Sequence, residues 1–168
     1  THAQLHDRAL LLTQTIQDYL PPAWIRRFAK QCDRLILMFY DEHYDRDSPG
    51  PVASREWYRQ MTDSFLKLIP PGKAVMGVGA YGYDWNDAGN HANIVQATVA
   101  DIWEQARENH VLPQWNAEVS QPFLQWTTVD SVDHFLWYLD ATTAVDEIRF
   151  GPRHGVTSMG LWRLVSED

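Results

Sequence analysis

Cysteine is nearly missing from this sequence: Cys32 stands alone, so no intrachain disulfide can form and no Cys-based zinc spacing exists. Runs of lysine or arginine are missing too. With a formal charge of −8 at pH 7, the chain is a poor match for a nucleic-acid backbone or an anionic membrane surface. A neutral or cationic ligand suits it better. No apolar stretch is long enough to span a bilayer, and the opening Thr1-His2-Ala3-Gln4 has neither a signal-peptide core nor a starting methionine, so a longer natural protein is expected around it. No GxGxxG or Walker A loop follows the first strand, no HExxH occurs, and the seven histidines are scattered without ligand spacing; no nucleotide, metal or other cofactor is expected. Aromatic and apolar material, by contrast, is abundant. Eight tryptophans and 45% hydrophobic residues suffice for the core of a single domain over 1–168.

Along the chain a beat of strand, loop and helix recurs. A first strand is expected over 9–17, followed by a helix that Pro21-Pro22 opens and whose apolar stripe is Trp24, Ile25, Phe28 and Ala29. Residues 34–40 (RLILMFY) form a continuous apolar run, as a strand buried on both faces of a parallel sheet requires. A polar loop leads to Ser54, which caps a helix running to about Pro70; a third strand is expected over 73–81, with glycines where backbone or ligand must come close. A loop over 82–93, a helix over 94–110, a β-hairpin over 123–140 turning at Asp130-Ser131, a helix over 141–149 and a strand over 156–164 complete the pattern. Trp24, Trp57 and Trp103 fall on helix faces and are expected in the core.

Parallel βα units make either an open doubly wound sheet or part of a (β/α)8 barrel. Polar and aromatic groups gather after the C-terminal ends of the strands, at Asp18 and Tyr19, Tyr40 to His43, Tyr81 to Trp85 and Trp162, where barrel enzymes place their sites. The expected fold is therefore α/β: parallel βα units forming about half of a (β/α)8 TIM-type barrel, with a β-hairpin insertion.

Four blocks in order carry a family resemblance. Met38-Phe39-Tyr40-Asp41 resembles the Met-x-Tyr-Asp signature on the sixth strand of family 18 glycoside hydrolases, the chitinase-like superfamily. Tyr81-Gly82-Tyr83-Asp84-Trp85 is similar to the seventh strand in bacterial cell-envelope members, Trp137-Tyr138-Leu139-Asp140 to the block before the last helix, and Gly160-Leu161-Trp162 to the eighth strand. The Tyr40-Asp41-Glu42-His43 form resembles members that neighbour polysaccharide deacetylase and glycosyltransferase domains. One departure is large: the family's catalytic pattern, Asp-x-x-Asp-x-Asp-x-Glu on its fourth strand, has no counterpart in this sequence.

The resemblance implies a ligand, an oligosaccharide or polysaccharide containing N-acetylglucosamine, such as a bacterial envelope polymer. It also implies a substrate-assisted retaining reaction in which the sugar's acetamido oxygen attacks the anomeric carbon. Tyr40 would hydrogen-bond the acetamido group, Asp41 orient it or a nearby hydroxyl, Tyr81 shape the pocket and Trp162 stack beneath the ring. Tyr83, Asp84, Trp85 and Trp137 complete the implied substrate-binding set. Strict alternation sends Asp41 to the face opposite Tyr40, so both reach one ligand only if the backbone leaves strand geometry at Asp41. Packing readings stand beside these: a tyrosine ending a buried strand, a loop-capping Asp84, and cross-strand pairing for Trp126 and Trp137 as against a sugar-binding wall. Glu42 is the candidate acid if this chain does chemistry alone. Without the acid-bearing strand, a non-catalytic carbohydrate-binding module is the alternative; a structural α/β domain is a third. A half-barrel would bare an inner face including Ile36, Met38 and Val78, to be covered by a missing N-terminal half or by a second copy in a homodimer.

Overall fold

The computed structural model describes residues 2–44, 48–86 and 93–163. After a short helix α1 (His2–His6), strands β1 (Thr13–Gln17), β2 (Arg34–Met38), β3 (Ala74–Gly79) and β9 (Ser158–Trp162) form a four-stranded parallel sheet in the order β1-β2-β3-β9. Helices α2 (Pro22–Gln31) and α3 (Arg55–Leu66) cover one face. Leu35 and Leu37 of β2 and Met76 of β3 point into that layer and are fully buried with Ile25 and Phe65. Each such burial contributes about 1.5–3 kcal/mol. Lys73 closes α2 by donating its ammonium to the carbonyls of Ala29 and Cys32, both at 2.8 Å.

A five-stranded antiparallel sheet follows. It consists of β4 (Tyr81–Asn86), β5 (Asn93–Thr98), β6 (Gln114–Asn116), β7 (Gln121–Thr127) and β8 (Asp133–Tyr138), in the order β5-β4-β8-β7-β6. Helix α4 (Val99–Glu108) packs Ile102 and Ala106 against Leu124, Trp126, Leu136 and Tyr138 on one face of it. Helix α5 (Ala141–Phe150) opens on a capping box between Asp140 and Thr143 and returns the chain to the parallel sheet. A third cluster, Tyr40, Val52, Ala53, Tyr81 and Leu139, joins the two sheets.

Mixed α/β architecture with a parallel sheet agrees with the sequence reading; several boundaries do not. The first strand begins at Thr13, because Ala9 has a positive φ of 57° and the Asp33 carboxylate takes the Leu12 N–H at 2.7 Å, outside the ladder. Leu10 and Leu11 are left exposed. The third strand ends at Gly79, so Tyr81, expected at its end, instead starts β4 of the second sheet, which runs to Asn86 through the first part of the loop expected over 82–93; residues 87–92 of that loop lie outside the described residues. Helix α4 starts only at Val99, because Thr98 and Asp101 cap it reciprocally, while residues 94–98 pair with β4. The expected hairpin over 123–140 exists as β7 and β8, inside a wider sheet.

Trp24 and Trp103 are 48% and 49% exposed, so helix periodicity misplaced both; Trp57 alone of the three packs into the core. Val78 does not share a face with Ile36 and Met38. It alternates with Gly77 and Gly79, is buried, and stands in register with Leu161 on the helix side. The opposite face therefore carries Ile36, Met38 and Val75 beside the exposed Thr13, Thr15 and Gln17, and is more polar than expected. Among the described residues no helix is long and apolar enough to cross a membrane.

Candidate functional site

The site grows from the place where β2 stops. Phe39 turns to the helix side, its ring edge-on to Tyr58 at 5.9 Å and Phe65 at 5.0 Å. Tyr40 then lies over the glycines of β3: a Cβ on Gly77 would stand 3.1 Å from its ring, and one on Gly79 3.6 Å from its Cβ. Asp41 follows with φ = 69°, in the left-handed region that aspartate tolerates better than most residues. That single dihedral breaks the alternation. Tyr40 and Asp41 consequently line one concavity of about 110 Å³ with Met38, Gln17, Asp18 and Tyr19 at the C-terminal ends of β1 and β2.

Strand β4 supplies the other wall. Tyr81 and Tyr83, two residues apart and on one face, both donate their hydroxyls to Asp41 Oδ1, the Tyr83 bond measuring 2.8 Å. Rings run edge to face from Tyr40 to Tyr81 (5.9 Å), Tyr81 to Tyr83 (5.6 Å) and Tyr83 to Trp85 (5.8 Å). Burial, reinforced by the negative charge of Asp41, pushes the Tyr40 hydroxyl up to about 12. The same causes, in the same order, raise Tyr81 and Tyr83 well above the ordinary tyrosine value. All three hydroxyls therefore stay protonated as donors at neutral pH. Asp18 is raised mainly by burial and partly by the charge of Asp41, against backbone N–H bonds that lower it.

The remaining sequence candidates divide. Trp137 pairs with Tyr83 across the ladder, stacks on Phe123 at 4.9 Å, and packs against the cluster of Tyr40 and Tyr81. Trp162 ends β9 in register with Gly79, on the same sheet face as Gly77 and Gly79 by alternation; it is half-exposed and does not line the concavity of Tyr40 and Asp41. Its peptide bond to Arg163 is cis. Trp85 continues the aromatic row but is fully buried, its Nε1 without a partner among the described residues. Asp84 goes to the opposite face of β4, where its Oδ2 meets His134 Nδ1 at 2.8 Å. Trp126 is on that face too, buried and stacked on His134, so packing is its reading. Both carboxylate oxygens of Glu42 are engaged by Ser54, accepting its N–H at 2.6 Å and its hydroxyl at 3.0 Å. The His43 ring lies against Gly50, and among the described residues no three His, Cys, Asp or Glu side chains are grouped to hold a metal.

Gln17, Asp18, Tyr19, Met38 and Tyr44 line the concavity and were not in the sequence-derived set, although Asp18 was visible as a polar residue closing a strand. Gln121, which bonds Val52 and Ala53, left no signal because its partners are backbone groups far away in sequence.

With this geometry in place, comparison with known proteins gives the class. A family model described as glycosyl hydrolases family 18 matches residues 3–168, and the chain belongs to that family. It is 26% identical over 136 residues to the cortical fragment-lytic enzyme of Bacillus subtilis, covering 79% of this chain and 31% of that protein. Its fold is similar to a chitinase from Chromobacterium violaceum, with a TM-score of 0.87 at 22% identity, over 99% of this chain and 55% of the other. A class V chitinase variant from Nicotiana tobaccum, solved in complex with NAG4, matches with a TM-score of 0.78 at 16% identity, over 99% and 56% of the two chains. The chain thus spans about half of those solved chains and under half of the curated relative.

Proposed function

We propose that residues 1–168 form one partial domain, strands five to eight of an eight-stranded barrel, and that it grips the acetamido group of a polymer containing N-acetylglucosamine. In the longer protein this supports substrate-assisted retaining hydrolysis, in which the sugar supplies its own nucleophile and the protein must hold it in place. The observation that carries the reading is Asp41: its left-handed turn brings it beside Tyr40, and two tyrosine hydroxyls occupy Oδ1 while no described residue bonds Oδ2. Oδ2 then accepts from the acetamido N–H or a sugar hydroxyl, and the protonated Tyr40 donates to the acetamido oxygen. Tyr81 and Tyr83 hold the carboxylate still, with Trp137 behind them and Trp162, at the end of β9 two strands from β2, as the stacking platform for the ring. Asp84 and Trp85 act through the sheet, not on the sugar. With Glu42 tied to Ser54, the chain by itself binds and the acid comes from elsewhere.

Titration of the N-acetylglucosamine tetramer into the protein tests this. Asp41→Asn and Tyr40→Phe should each weaken binding about tenfold, the loss expected for a hydrogen bond to a charged or buried group. Unchanged affinity in both variants would remove the assignment. In the longer protein, turnover of a chromogenic chitobioside separates a hydrolase from a binding module.

A further inference from the structure

A left-handed turn that ends an apolar strand needs something to hold it, and the described residues of the loop after Asp41, 42–44 and 48–54, have no regular secondary structure of their own. What it has is a set of specific bonds. The Glu42 N–H donates to the Val52 carbonyl at 2.8 Å, closing the loop on itself, and the Glu42 carboxylate binds Ser54 twice. Val52 and Ala53 are buried. Both are gripped by one side chain from the antiparallel sheet: the Gln121 amide oxygen accepts the Val52 N–H at 2.7 Å, and its nitrogen donates to the Ala53 carbonyl at 3.1 Å. Gln121 is 0% exposed. A buried amide is tolerated only when bonded, and a primary amide offers the acceptor and donor in one plane that this backbone stretch demands.

We propose that Gln121 is a positioning residue for the ligand site: through Val52, Ala53 and Glu42 it holds Asp41 in the left-handed conformation in which it receives Tyr81 and Tyr83. One sheet thereby sets both sides of the Asp41 carboxylate, with the tyrosines of β4 in front and Gln121 of β7 behind the loop. The consequence for sugar binding rests on the function proposed above; the hold on Asp41 does not.

The test uses the hydroxyl-proton NMR signals of Tyr81 and Tyr83 in the 168-residue chain. Tyr58, whose hydroxyl donates to the Gly77 carbonyl at 3.2 Å inside the helix-covered core, is the internal control. Gln121→Met keeps length and removes donor and acceptor. The Tyr81 and Tyr83 signals should shift or be lost to exchange, with Tyr58 intact, and affinity for the N-acetylglucosamine tetramer should fall about tenfold, as for Asp41→Asn. Unchanged Tyr81 and Tyr83 signals overturn the proposal. Should Gln121→Met disturb Tyr58 as well, Glu42→Ala decides: loss of the two site signals, partly restored in Glu42→Gln, supports the relay, and wild-type signals in Glu42→Ala overturn it. If the site signals respond as expected but the wild-type chain ignores the tetramer, the positioning stands and the sugar reading falls. If the tetramer binds, Asp41→Asn weakens binding as expected and Gln121→Met leaves signals and affinity alone, the reverse holds.

Discussion

Glu147 of α5 is a carboxyl buried between helices, beside Tyr58, and it titrates far from the usual carboxylate range. Burial raises it well above 4.5, with the neighbouring Asp146 charge adding to the effect. Folded Glu147 thus keeps its proton at pH values where the unfolded chain has lost it. Its contribution to stability is complete below about pH 4.5 and declines as pH rises toward the elevated folded value, each pH unit in that window costing about 1.4 kcal/mol. Glu147→Gln, which cannot ionise, should raise the melting temperature at pH 8 and leave it unchanged at pH 4; calorimetry across that range reads the difference. A melting temperature in the variant that still fell between pH 5 and 8 as steeply as in the wild type would assign the slope to other groups. Asp18 acts in the same direction, being raised as well, but partly exposed and so weaker.

At the scale of elements, β3 shows how a strand is shaped by what lies across it. A Cβ on Gly77 would come 2.5 Å from the Leu37 carbonyl oxygen and 3.1 Å from the Tyr40 ring, and backbone in mid-sheet cannot step aside. Gly77→Ala should therefore cost about 1–3 kcal/mol in urea unfolding and displace Tyr40, so that affinity for the sugar falls along with stability. Gly72, with nothing near its would-be Cβ, is the control and should accept alanine with little change. The start of α3 follows a similar logic: Ser54 caps the helix through Trp57 N while Glu42 receives the Ser54 N–H and hydroxyl, so one serine links a helix to the site loop.

The whole molecule has one sheet face that no helix of the described residues covers. Ile36, Met38, Val75 and Trp162 lie on it, and β1 and β9 are both edge strands of the parallel sheet. We propose that the rest of a longer protein's barrel covers this face, and that in its absence two copies pair there. Sedimentation of the 168-residue chain at micromolar concentration should show dimers or larger species; a monodisperse monomer with a cooperative melt would mean that this face is stable in water. The polar share of the face, Thr13, Thr15 and Gln17, softens that drive compared with the row of apolar side chains the sequence suggested.

What the sequence determined by itself is what depends on neighbours along the chain. The apolar run of β2, the proline start of α2 and the Ser54 cap of α3 were all legible because propensity, capping and periodicity act over a few residues. The order of the motif blocks likewise identified the family, since Tyr40, Asp41, Tyr81 and Tyr83 stand in the sequence as they stand in the site. Only tertiary structure decided which faces those residues take. Asp84 and Trp126 turned away because pairing with β8 fixed the register of β4 and β7, and a one-residue change of register exchanges the faces of a strand. Residues 94–98 looked helical by spacing yet became β5, because pairing with β4 outweighed local preference. Asp41 reached the site through a backbone turn, and the bonds around that turn come from residues 10 to 80 positions away, the kind of contact that no local pattern encodes.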